Sequence, residues 1–494
     1  MNGRIRLLAL TSLAFLIALV LATTYWQAWA APDLARKRDN SIQQIAEYSI
    51  DRGNIYASDG RTLLATNRTI RRNNKTYYLR RYPLGYLTAA AVGYSTKERS
   101  RTGIERSAND YLTGADRSLS SVLRRERNRL LGETIKGSDV ILSLDIAAQR
   151  VATQALDGNC GAAVALEPAT GRVLVLVSKP SYNPNDVESQ FDRIKRIKAP
   201  CSPAAPLLDR ATQGLYPPGS SFKVVTAAAA LDSNRFTPDS IFSDPGYCIE
   251  YGQRVTNFRD QSGPEVFGTV TLAQALEHSI NSVFCNIGKA LGPMPILEYA
   301  RRFGFYSKPP LDTPENERKA SGLYRHNVLD WPSDPSQVDP GRLAFGQDRM
   351  LVTPLQMAMV AAAVANGGNI MQPHLVDRIV RPGGKVERIK PFSLGRAIRP
   401  ETAADLNQMM VAAVNSGTGT AAAIPGISVA GKTGTAETGG DRPNTTWFIA
   451  FAPADKPKVA VAVVLENQVG TGGQTAAPIA RAIMQAILTP MANP

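Results

Sequence analysis

The hydrophobic pattern of the last two thirds of the chain predicts strands at both ends and helices between them. Apolar runs bounded by turn residues predict strands at 140–144, 161–167, 172–178, 447–452 and 458–465. Apolar residues with a helical period predict helices at 145–156, 353–365, 401–414 and 475–488. The strands at 161–167 and 172–178 form a hairpin in this reading. We therefore predict an α+β fold, with one sheet that draws its strands from both ends of this segment.

The pattern differs in the first third. Residues 33–150 are polar and Arg-rich, and short alternating runs at 51–56 and 59–65 flank an Asp-Gly turn signal. A basic stretch at 118–131 is helical or extended. We predict a separate, non-catalytic module here. The expected boundaries are 1–31 for the amino-terminal segment, 32–150 for the module and 151–494 for the main unit. Residues 305–340 lack a clear period and are predicted to be a long surface loop.

An apolar run at 7–22 follows two arginines and precedes aromatic residues at 25, 26 and 29. With its flanks it approaches the roughly 20 residues that span a bilayer, and the aromatic residues fit a membrane interface. Ala28-Trp29-Ala30 also fits a signal-peptidase site, so a cleaved signal peptide is the alternative. We favour a single uncleaved anchor in the cell membrane. Either reading puts the rest of the chain outside the cytoplasm. The basic residues at 36–38 would then lie on the outer side, which weakens the positive-inside signal for this orientation.

The net charge of +14 is concentrated in the first third of the chain. Residues 1–150 carry 24 Lys and Arg against 13 Asp and Glu, and the other 344 residues carry 32 against 29. No nucleic-acid-binding module accompanies this charge, so we expect no nucleic-acid partner. An anionic lipid or wall polymer is a better candidate, and a solvated basic surface explains the charge equally well.

Four cysteines lie in the exported part, at 160, 201, 248 and 285, where disulfides persist. They allow three pairings. We prefer Cys248–Cys285, because Cys285 lies near a motif described below, and free buried thiols are the alternative. The three histidines form no ligand pair, so we expect no metal and no cofactor.

The candidate chemistry begins at Tyr-Pro-Pro-Gly-Ser-Ser-Phe-Lys, residues 216–223. Ser220 falls at the start of an Ala-rich helix, and Lys223 follows three residues later on the same helix face. A desolvated, neutral lysine can take the proton of a serine and make it a nucleophile. A helix cap is the ordinary explanation of such a serine, so this motif depends on partners elsewhere in the chain.

Two further motifs supply those partners. Ser279-Ile280-Asn281 follows a short helix at 272–277, and groups two residues apart suit a helix end that directs both into a cleft. Residues 432–435, Lys-Thr-Gly-Thr, lie in a predicted strand, where Gly434 lets a substrate backbone approach and Lys432 provides a positive charge. Each motif is weak alone, but all three in this order form a specific signature.

The three motifs together resemble those of penicillin-binding proteins and related serine β-lactamases. The resemblance extends to Arg52-Gly53, Arg81-Tyr82-Pro83 and Gly103-Ile104-Glu105, which are similar to amino-terminal motifs of class B penicillin-binding proteins. Residues 209–211, 346–347, 353–358 and 447–448 are similar to landmarks of that class's transpeptidase domain. The chain looks most like the penicillin-binding protein A group of actinobacteria. It departs from the pattern at Asp209, where asparagine is usual, and at Ala450, where glycine is common.

The resemblance implies a peptidoglycan DD-transpeptidase that cross-links stem peptides during division or elongation and is acylated by β-lactams. Ser220 would be the nucleophile, Lys223 its base, and Ser279 a proton relay to the leaving nitrogen. Asn281 would bind the substrate amide, and Lys432, Thr433, Gly434 and Thr435 would bind the donor carboxylate and backbone. The backbone N–H groups of Ser220 and Thr435 would form the oxyanion hole.

Three alternatives share some of these features. A serine β-lactamase or DD-carboxypeptidase has the same triad, but the amino-terminal module argues against both. A penicillin-sensing receptor would need several membrane helices and a cytoplasmic effector. The chain could also be mainly a scaffold for a membrane glycosyltransferase of the SEDS type, which we expect as a partner of the enzyme together with other division or elongation proteins.

Overall fold

The computed structural model describes residues 2–26, 48–72, 75–115, 136–201, 203–260, 263–436 and 443–489. Some of the expectations above concern residues outside these ranges. These are the basic stretch at 118–131, the aromatic residue and Ala-x-Ala site at 28–30, and the basic residues at 36–38.

The α-helices of the described residues are short except near the two ends of the chain. In chain order they are α1 (Asn2–Thr24), α2 (Ala89–Val92), α3 (Gly103–Ser107), α4 (Asn109–Leu112), α5 (Ile146–Ala155), α6 (Phe191–Lys195), α7 (Lys223–Asp232), α8 (Leu272–Glu277), α9 (Asn281–Leu291), α10 (Pro293–Arg302), α11 (Pro340–Ala344), α12 (Pro354–Ala365), α13 (Pro400–Asn415) and α14 (Gly472–Leu488).

The strands fall into one amino-terminal group, a central group of short strands and a carboxy-terminal group. In chain order they are β1 (Ile55–Tyr56), β2 (Leu63–Arg72), β3 (Lys75–Arg81), β4 (Asp139–Leu142), β5 (Gly161–Leu166), β6 (Val173–Lys179), β7 (Ile241–Asp244), β8 (Tyr247–Glu250), β9 (Gln253–Thr256), β10 (Arg259–Asp260), β11 (Gly263–Pro264), β12 (Gly268–Thr271), β13 (Gly322–Arg325), β14 (Val328–Leu329), β15 (Met350–Leu351), β16 (Asn369–Met371), β17 (Val376–Val380), β18 (Val386–Arg388), β19 (Ser393–Arg396), β20 (Ala430–Ala436), β21 (Asn444–Ala452) and β22 (Val459–Gln468).

A five-stranded antiparallel sheet is the framework of the main unit. Its order is β20-β21-β22-β5-β6, so strands from both ends of the segment meet at the β22–β5 pair, as the hydrophobic pattern predicted. Alternate residues of a strand face opposite sides of a sheet. Ala163 and Ala165 pack in one core with α5 and α14, whereas Ala162 and Val164 pack in the other with α7 and α12. The prediction of an α+β unit is confirmed.

A second sheet joins the amino-terminal module to the main unit. Its order is β18-β17-β4-β1-β2-β3, and β17 pairs antiparallel with β4, with Ile379 opposite Val140. Strands β17 and β18 come from the segment that we assigned to the main unit. The two parts thus share a sheet, and the division of the chain at residue 150 stays a prediction. A local pattern at 376–388 shows that a strand exists but not which distant strand it pairs with.

A buried ion cluster stabilises the amino-terminal module. The Glu105 side chain is fully buried, and its carboxylate accepts hydrogen bonds from Arg52 Nη2 at 2.8 Å and Arg80 Nε at 2.5 Å. Burial raises the pKa of Glu105, but the charges of Arg80 and Arg52 outweigh burial and leave it below its ordinary value. Two of the sequence motifs quoted above, around Arg52 and Glu105, thus meet in one structural contact.

The segment 305–340 differs from the expected surface loop. Phe305, Leu311 and Leu323 are buried in the main core, and β13 pairs with both β14 and β15. Short strands of two to four residues leave little periodic signal, so the sequence pattern did not reveal them.

Helix α1 is apolar along its length, and residues Gly3–Thr24 are long and apolar enough to cross a membrane. Its large hydrophobic side chains are exposed to the surroundings of the protein, as in a candidate membrane anchor. Disulfides join Cys160 to Cys201 and Cys248 to Cys285, and the second is the pairing that we preferred.

Candidate active site

Ser220 lies in a tight turn that leads directly into α7. Residues Gly219–Phe222 form a 3-10 turn, and the α-helix begins at Lys223. Among the described residues the Ser220 hydroxyl has no backbone N–H as a hydrogen-bond donor, whereas the neighbouring Ser221 hydroxyl donates to Pro218 O at 2.7 Å. The helix-cap explanation of Ser220 therefore does not apply. A Cβ atom on Gly219, whose φ is +50°, would lie 2.7 Å from Thr435 O, so glycine allows the turn to approach β20.

The loop before this turn is fixed from the sheet side. Trp447 on β21 donates from Nε1 to Pro217 O at 3.0 Å, and its ring makes an edge contact with Tyr216. The Tyr216 hydroxyl donates to Glu466 Oε1 at 2.7 Å, and Arg210 Nε donates to the same oxygen at 2.8 Å. These contacts anchor the loop on the strand layer immediately before Ser220.

Ser279 occupies the turn between α8 and α9, with a positive φ of +62°. Such a backbone conformation costs energy for a residue other than glycine and is found at functional sites. Lys223 Nζ donates to Ser279 O at 2.6 Å and to Asn281 Oδ1 at 2.7 Å, and it lies 3.3 Å from Ser279 Oγ. Asn281 donates in turn to Thr256 O at 3.1 Å. The first and second motifs are thus in direct contact.

Lys432 approaches the same hydroxyl from β20. Its Nζ donates to Ser279 Oγ at 2.8 Å and to Thr433 O at 3.1 Å. The Ser279 hydroxyl therefore lies between two lysine amines, Lys223 on α7 and Lys432 on β20. The structure brings together side chains of all three sequence motifs around this one oxygen.

Both amines are shielded from solvent. Lys223 and Lys432 are 0 % exposed. Burial lowers the pKa of Lys223 well below its ordinary value, and the nearby charge of Lys432 lowers it further. Burial lowers the pKa of Lys432 to about 7. A neutral Lys223 can donate its two N–H groups as hydrogen bonds to Ser279 O and Asn281 Oδ1. Its lone pair then remains free to accept a hydroxyl proton.

Thr433 and Thr435 present their side chains to the cleft beside Ser220. Thr433 Oγ1 is 2.7 Å from Thr418 Oγ1, and Thr435 Oγ1 accepts from Gly472 N at 3.2 Å. A Cβ atom on Gly434 would lie 2.8 Å from both Pro218 O and Trp447 Cβ. The glycine therefore lets β20 pack against the Ser220 turn, rather than only keeping the strand accessible to a substrate backbone.

A cleft of about 510 Å³ opens over these groups. Ser220, Ser279, Asn281, Thr433 and Thr435 all line it. Within the described residues, no hydrogen bond is formed by the Ser220 hydroxyl, and Lys223 is directed instead to Ser279 and Asn281. The nucleophile candidate is thus accessible to a molecule in the cleft.

Sequence reasoning missed several residues of this cleft. His278 precedes Ser279 directly, and Thr418 contacts Thr433, yet neither was assigned a role. The adjacency of His278 to Ser279 was the one available signal. Glu466 and Arg210 are also part of the support, and their contact joins residues 256 positions apart.

One group in the described ranges has metal-ligand chemistry, namely Cys248, Glu250 and Cys285. The two sulfurs are joined in a disulfide, so they are not available as thiolate ligands. The bridge ties β8 to α9, the helix that begins with Asn281.

Comparisons with known proteins agree with this geometry. Residues 161–485 match the family described as the penicillin binding protein transpeptidase domain, and residues 52–140 match the penicillin binding protein A dimerisation domain. The chain is similar to the peptidoglycan D,D-transpeptidase PbpA of Mycobacterium tuberculosis, with 34 % identity over 99 % of both chains. It is also similar to PbpA of Mycolicibacterium smegmatis, with 35 % identity over 99 % of both chains.

Solved structures show the same likeness. The ceftriaxone acyl-enzyme complex of penicillin-binding protein A from M. tuberculosis matches with a TM-score of 0.79 and 35 % identity. The match covers 90 % of this chain and 100 % of that one. Its imipenem acyl-enzyme complex matches with a TM-score of 0.78 over the same shares of the two chains.

Proposed function

The chain belongs to the penicillin-binding protein transpeptidases, and we propose that Ser220 is its nucleophile and Lys223 the base that activates it. It is a serine-type peptidoglycan D,D-transpeptidase, which acts on stem peptides and is acylated by β-lactams. The roles of individual residues below are part of the proposal.

One observation carries these assignments. The Ser279 hydroxyl lies 2.8 Å from Lys432 Nζ and 3.3 Å from Lys223 Nζ, in a cleft that Ser220 also lines. The lowered pKa of Lys223 favours the neutral amine that a base requires. A hydroxyl between two amines can pass a proton in either direction without moving far.

In the acylation step, Ser220 Oγ attacks the carbonyl carbon of the penultimate D-alanine while Lys223 accepts the hydroxyl proton. The new C–O bond forms, and the bond to the terminal D-alanine nitrogen breaks. The proton moves from Lys223 through Ser279 to that nitrogen, which leaves as an amine. No other reactant is consumed, and Lys223 ends neutral, as it began.

Asn281 and the residues at 432–435 hold the donor in this scheme. Asn281 binds the substrate amide, while Lys432, Thr433 and Thr435 bind the carboxylate of the terminal residue. That carboxylate raises the pKa of Lys432 again, because an opposite charge favours the ammonium form. The N–H groups of Ser220 and Thr435 stabilise the oxyanion, and the close approach of Gly219 to Thr435 supports this pairing.

We further propose a setting in the cell membrane. Helix α1 anchors the chain as a single span, and the catalytic unit works on the extracytoplasmic side, where the stem peptides are. Residues 32–150 form the surface that engages a SEDS-type glycosyltransferase and other division or elongation proteins. The basic excess of residues 1–150 and the family match at 52–140 support an interaction role for this part.

The test is labelling of the membrane-anchored, full-length protein with a fluorescent penicillin. We expect stable labelling of wild type and none of Ser220→Ala. Ser221→Ala is the matched control, because it removes the adjacent hydroxyl, and it should still be labelled. Labelling retained in Ser220→Ala would overturn the assignment of the nucleophile.

Rapid release of the label as hydrolysed penicillin would favour the β-lactamase alternative over the transpeptidase. Full complementation of a deletion by Ser220→Ala would favour the scaffold. Cross-linked product from wild type alone, with a long-lived penicilloyl-enzyme, is the result that the proposed chemistry requires.

A further inference from the structure

The second half of a transpeptidation creates a proton problem that the three motifs do not solve. The acyl group on Ser220 is transferred to an amine of a neighbouring stem peptide. An alkyl amine has a pKa of about 10, so at pH 7 it arrives almost wholly as an ammonium ion. The ammonium must lose one proton before its nitrogen can attack the carbonyl carbon. It loses a second proton as the amide forms, and that one returns to Ser220 Oγ.

The second proton has a path, but the first does not. As the C–N bond forms and the C–Oγ bond breaks, Lys223 and Ser279 can carry the second proton to Ser220, reversing acylation. The first proton has to reach solvent, because the enzyme returns to its starting state after each cycle. Lys223 and Lys432 are 0 % exposed and hydrogen-bonded inside the protein, so neither has direct access to water.

His278 is placed to take that first proton. It lines the same cleft as Ser220 and Ser279, and it directly precedes Ser279 in the chain. Its side chain is 37 % exposed, so it touches both the cleft and bulk water. An imidazole exchanges its proton readily near neutral pH, unlike an alkyl amine or a carboxylate.

The orientation of the imidazole is fixed. Its ring stacks on Phe267 with centroids 5.2 Å apart and an interplanar angle of 24°. Nε2 lies 3.8 Å from Glu277 Oε1, whose carboxylate also accepts from Ser416 Oγ at 2.6 Å. Within the described residues, no hydrogen bond is formed by the His278 side chain. The ring is therefore held in place while its nitrogens remain available to a ligand.

We propose that His278 is the base that deprotonates the acceptor ammonium ion before it attacks the acyl-enzyme. The ammonium transfers one proton to the imidazole and becomes a neutral amine. The imidazolium then releases that proton to solvent, and the amine displaces Ser220. This inference deepens the proposed function and rests on it. It assigns to His278 a step of deacylation only, and acylation by a donor or a β-lactam proceeds without it.

Charged groups approach His278 from several elements. Glu277, at the end of α8, places Oε1 3.8 Å from Nε2 of the imidazole. The other charged groups that line the cleft are Arg254 on β9, Glu265 in the loop after β11, and Arg342 on α11. Lys432 and Lys223 both lie close to the hydroxyl of Ser279, the residue that follows His278.

The experiment compares wild type, His278→Gln and His278→Asn in the full-length protein. The donor is a synthetic peptide that ends in D-alanyl-D-alanine. One acceptor is a peptide with a primary side-chain amine, and the other is hydroxylamine, which is already neutral at pH 7. His326→Gln is the matched control, because His326 is exposed and does not line the cleft.

We expect both His278 variants to acylate with fluorescent penicillin at the wild-type rate. Transfer to the primary amine at pH 7 should fall by at least about 10²-fold, the lower end of the range for loss of a general base. Transfer to hydroxylamine should be unchanged. The deficit should shrink as the pH rises toward the pKa of the amine, because the neutral acceptor then forms without help.

Equal losses with both acceptors would overturn the inference, because a merely structural role does not distinguish charged from neutral amines. Undiminished transfer to the primary amine would overturn it too. A wild type that is neither acylated nor forms product would instead contradict the proposed function itself, so the two failures are distinguishable. Labelling of the variants with penicillin also shows whether they have folded.

Discussion

Lys432 donates a hydrogen bond to the hydroxyl of Ser279 over 2.8 Å, although the two residues are 153 positions apart. The amine of Lys223 lies 3.3 Å from the same oxygen on another side. One hydroxyl thus connects β20, to which we assign the donor carboxylate, with α7, which follows the proposed nucleophile. The proposed proton transfers depend on this shared contact.

Replacement of Ser279 by alanine should slow acylation without preventing β-lactam binding. In the proposed mechanism the hydroxyl relays a proton between the two amines, and loss of a proton-transfer group typically costs about 10²- to 10⁴-fold in rate. The second-order rate constant of penicillin acylation is the measurement. Ser233→Ala, which removes a hydroxyl at the end of α7 that donates to Ala229 O, should leave the rate unchanged. An unaltered rate in Ser279→Ala would exclude the relay.

The buried lysines should make the protein more stable as the pH rises above neutral. The pKa of Lys432 is about 7 in the folded protein against an ordinary 10.5, so between these values the unfolded chain binds more protons. The free energy of unfolding should therefore increase with pH through this window. Lys432 alone contributes up to about 3 kcal/mol between pH 7.5 and 9.5.

Urea unfolding at those two pH values checks this, and Lys432→Met should reduce the increase. In that variant Lys223, whose pKa is also lowered, still contributes to the increase of the free energy of unfolding with pH. Lys385→Met removes an exposed lysine and should not alter the pH dependence. An identical slope in wild type and Lys432→Met would show that Lys432 keeps its ordinary pKa in the folded chain.

Glu105→Gln should destabilise the protein by about 3–5 kcal/mol, because it removes the charge that compensates two buried arginines. Chemical denaturation is the measurement. Glu298→Gln is the control: Glu298 makes an exposed pair with Arg301, and such pairs contribute at most about 1 kcal/mol. Similar losses in the two variants would contradict the central role of the Glu105 cluster.

Gly434→Ala should reduce acylation more strongly than it reduces stability. The added methyl would press on Pro218 O and on Trp447, and the Ser220 turn would have to move away from β20. A displacement of about 1 Å at a reacting group can cost on the order of 100-fold in rate. Acylation rate and thermal unfolding should be measured on the same preparation. A wild-type rate would mean that the turn tolerates the methyl.

Much of the main unit could be predicted, because its strands and helices are long enough to display a period. The 161–167 and 172–178 hairpin and the helices near 353–365 and 475–488 all appear within a few residues of the expected bounds. The three motifs also indicated which side chains to bring together. The order of the three motifs in the sequence was informative, because the side chains of each motif have a chemical partner in another motif.

The remaining features depend on contacts between distant segments. The local sequence of β17 does not indicate that this strand pairs with β4. The short strands within 305–340 contain too few residues to display a hydrophobic period. The role that we propose for His278 rests on its exposure and its stacking on Phe267, which are properties of the fold. Ser279 was predicted as a functional serine, but its position between two amines is visible only in three dimensions.

The pairing of β17 with β4 has a mechanical consequence. A force that pulls the amino-terminal module away from the main unit would load the sheet that the two parts share. The load would cross from β4 to β17 through several backbone hydrogen bonds side by side, rather than through one connecting peptide. The unit that contains the cleft is therefore coupled stiffly to the amino-terminal module, and neither part can turn freely against the other at this sheet.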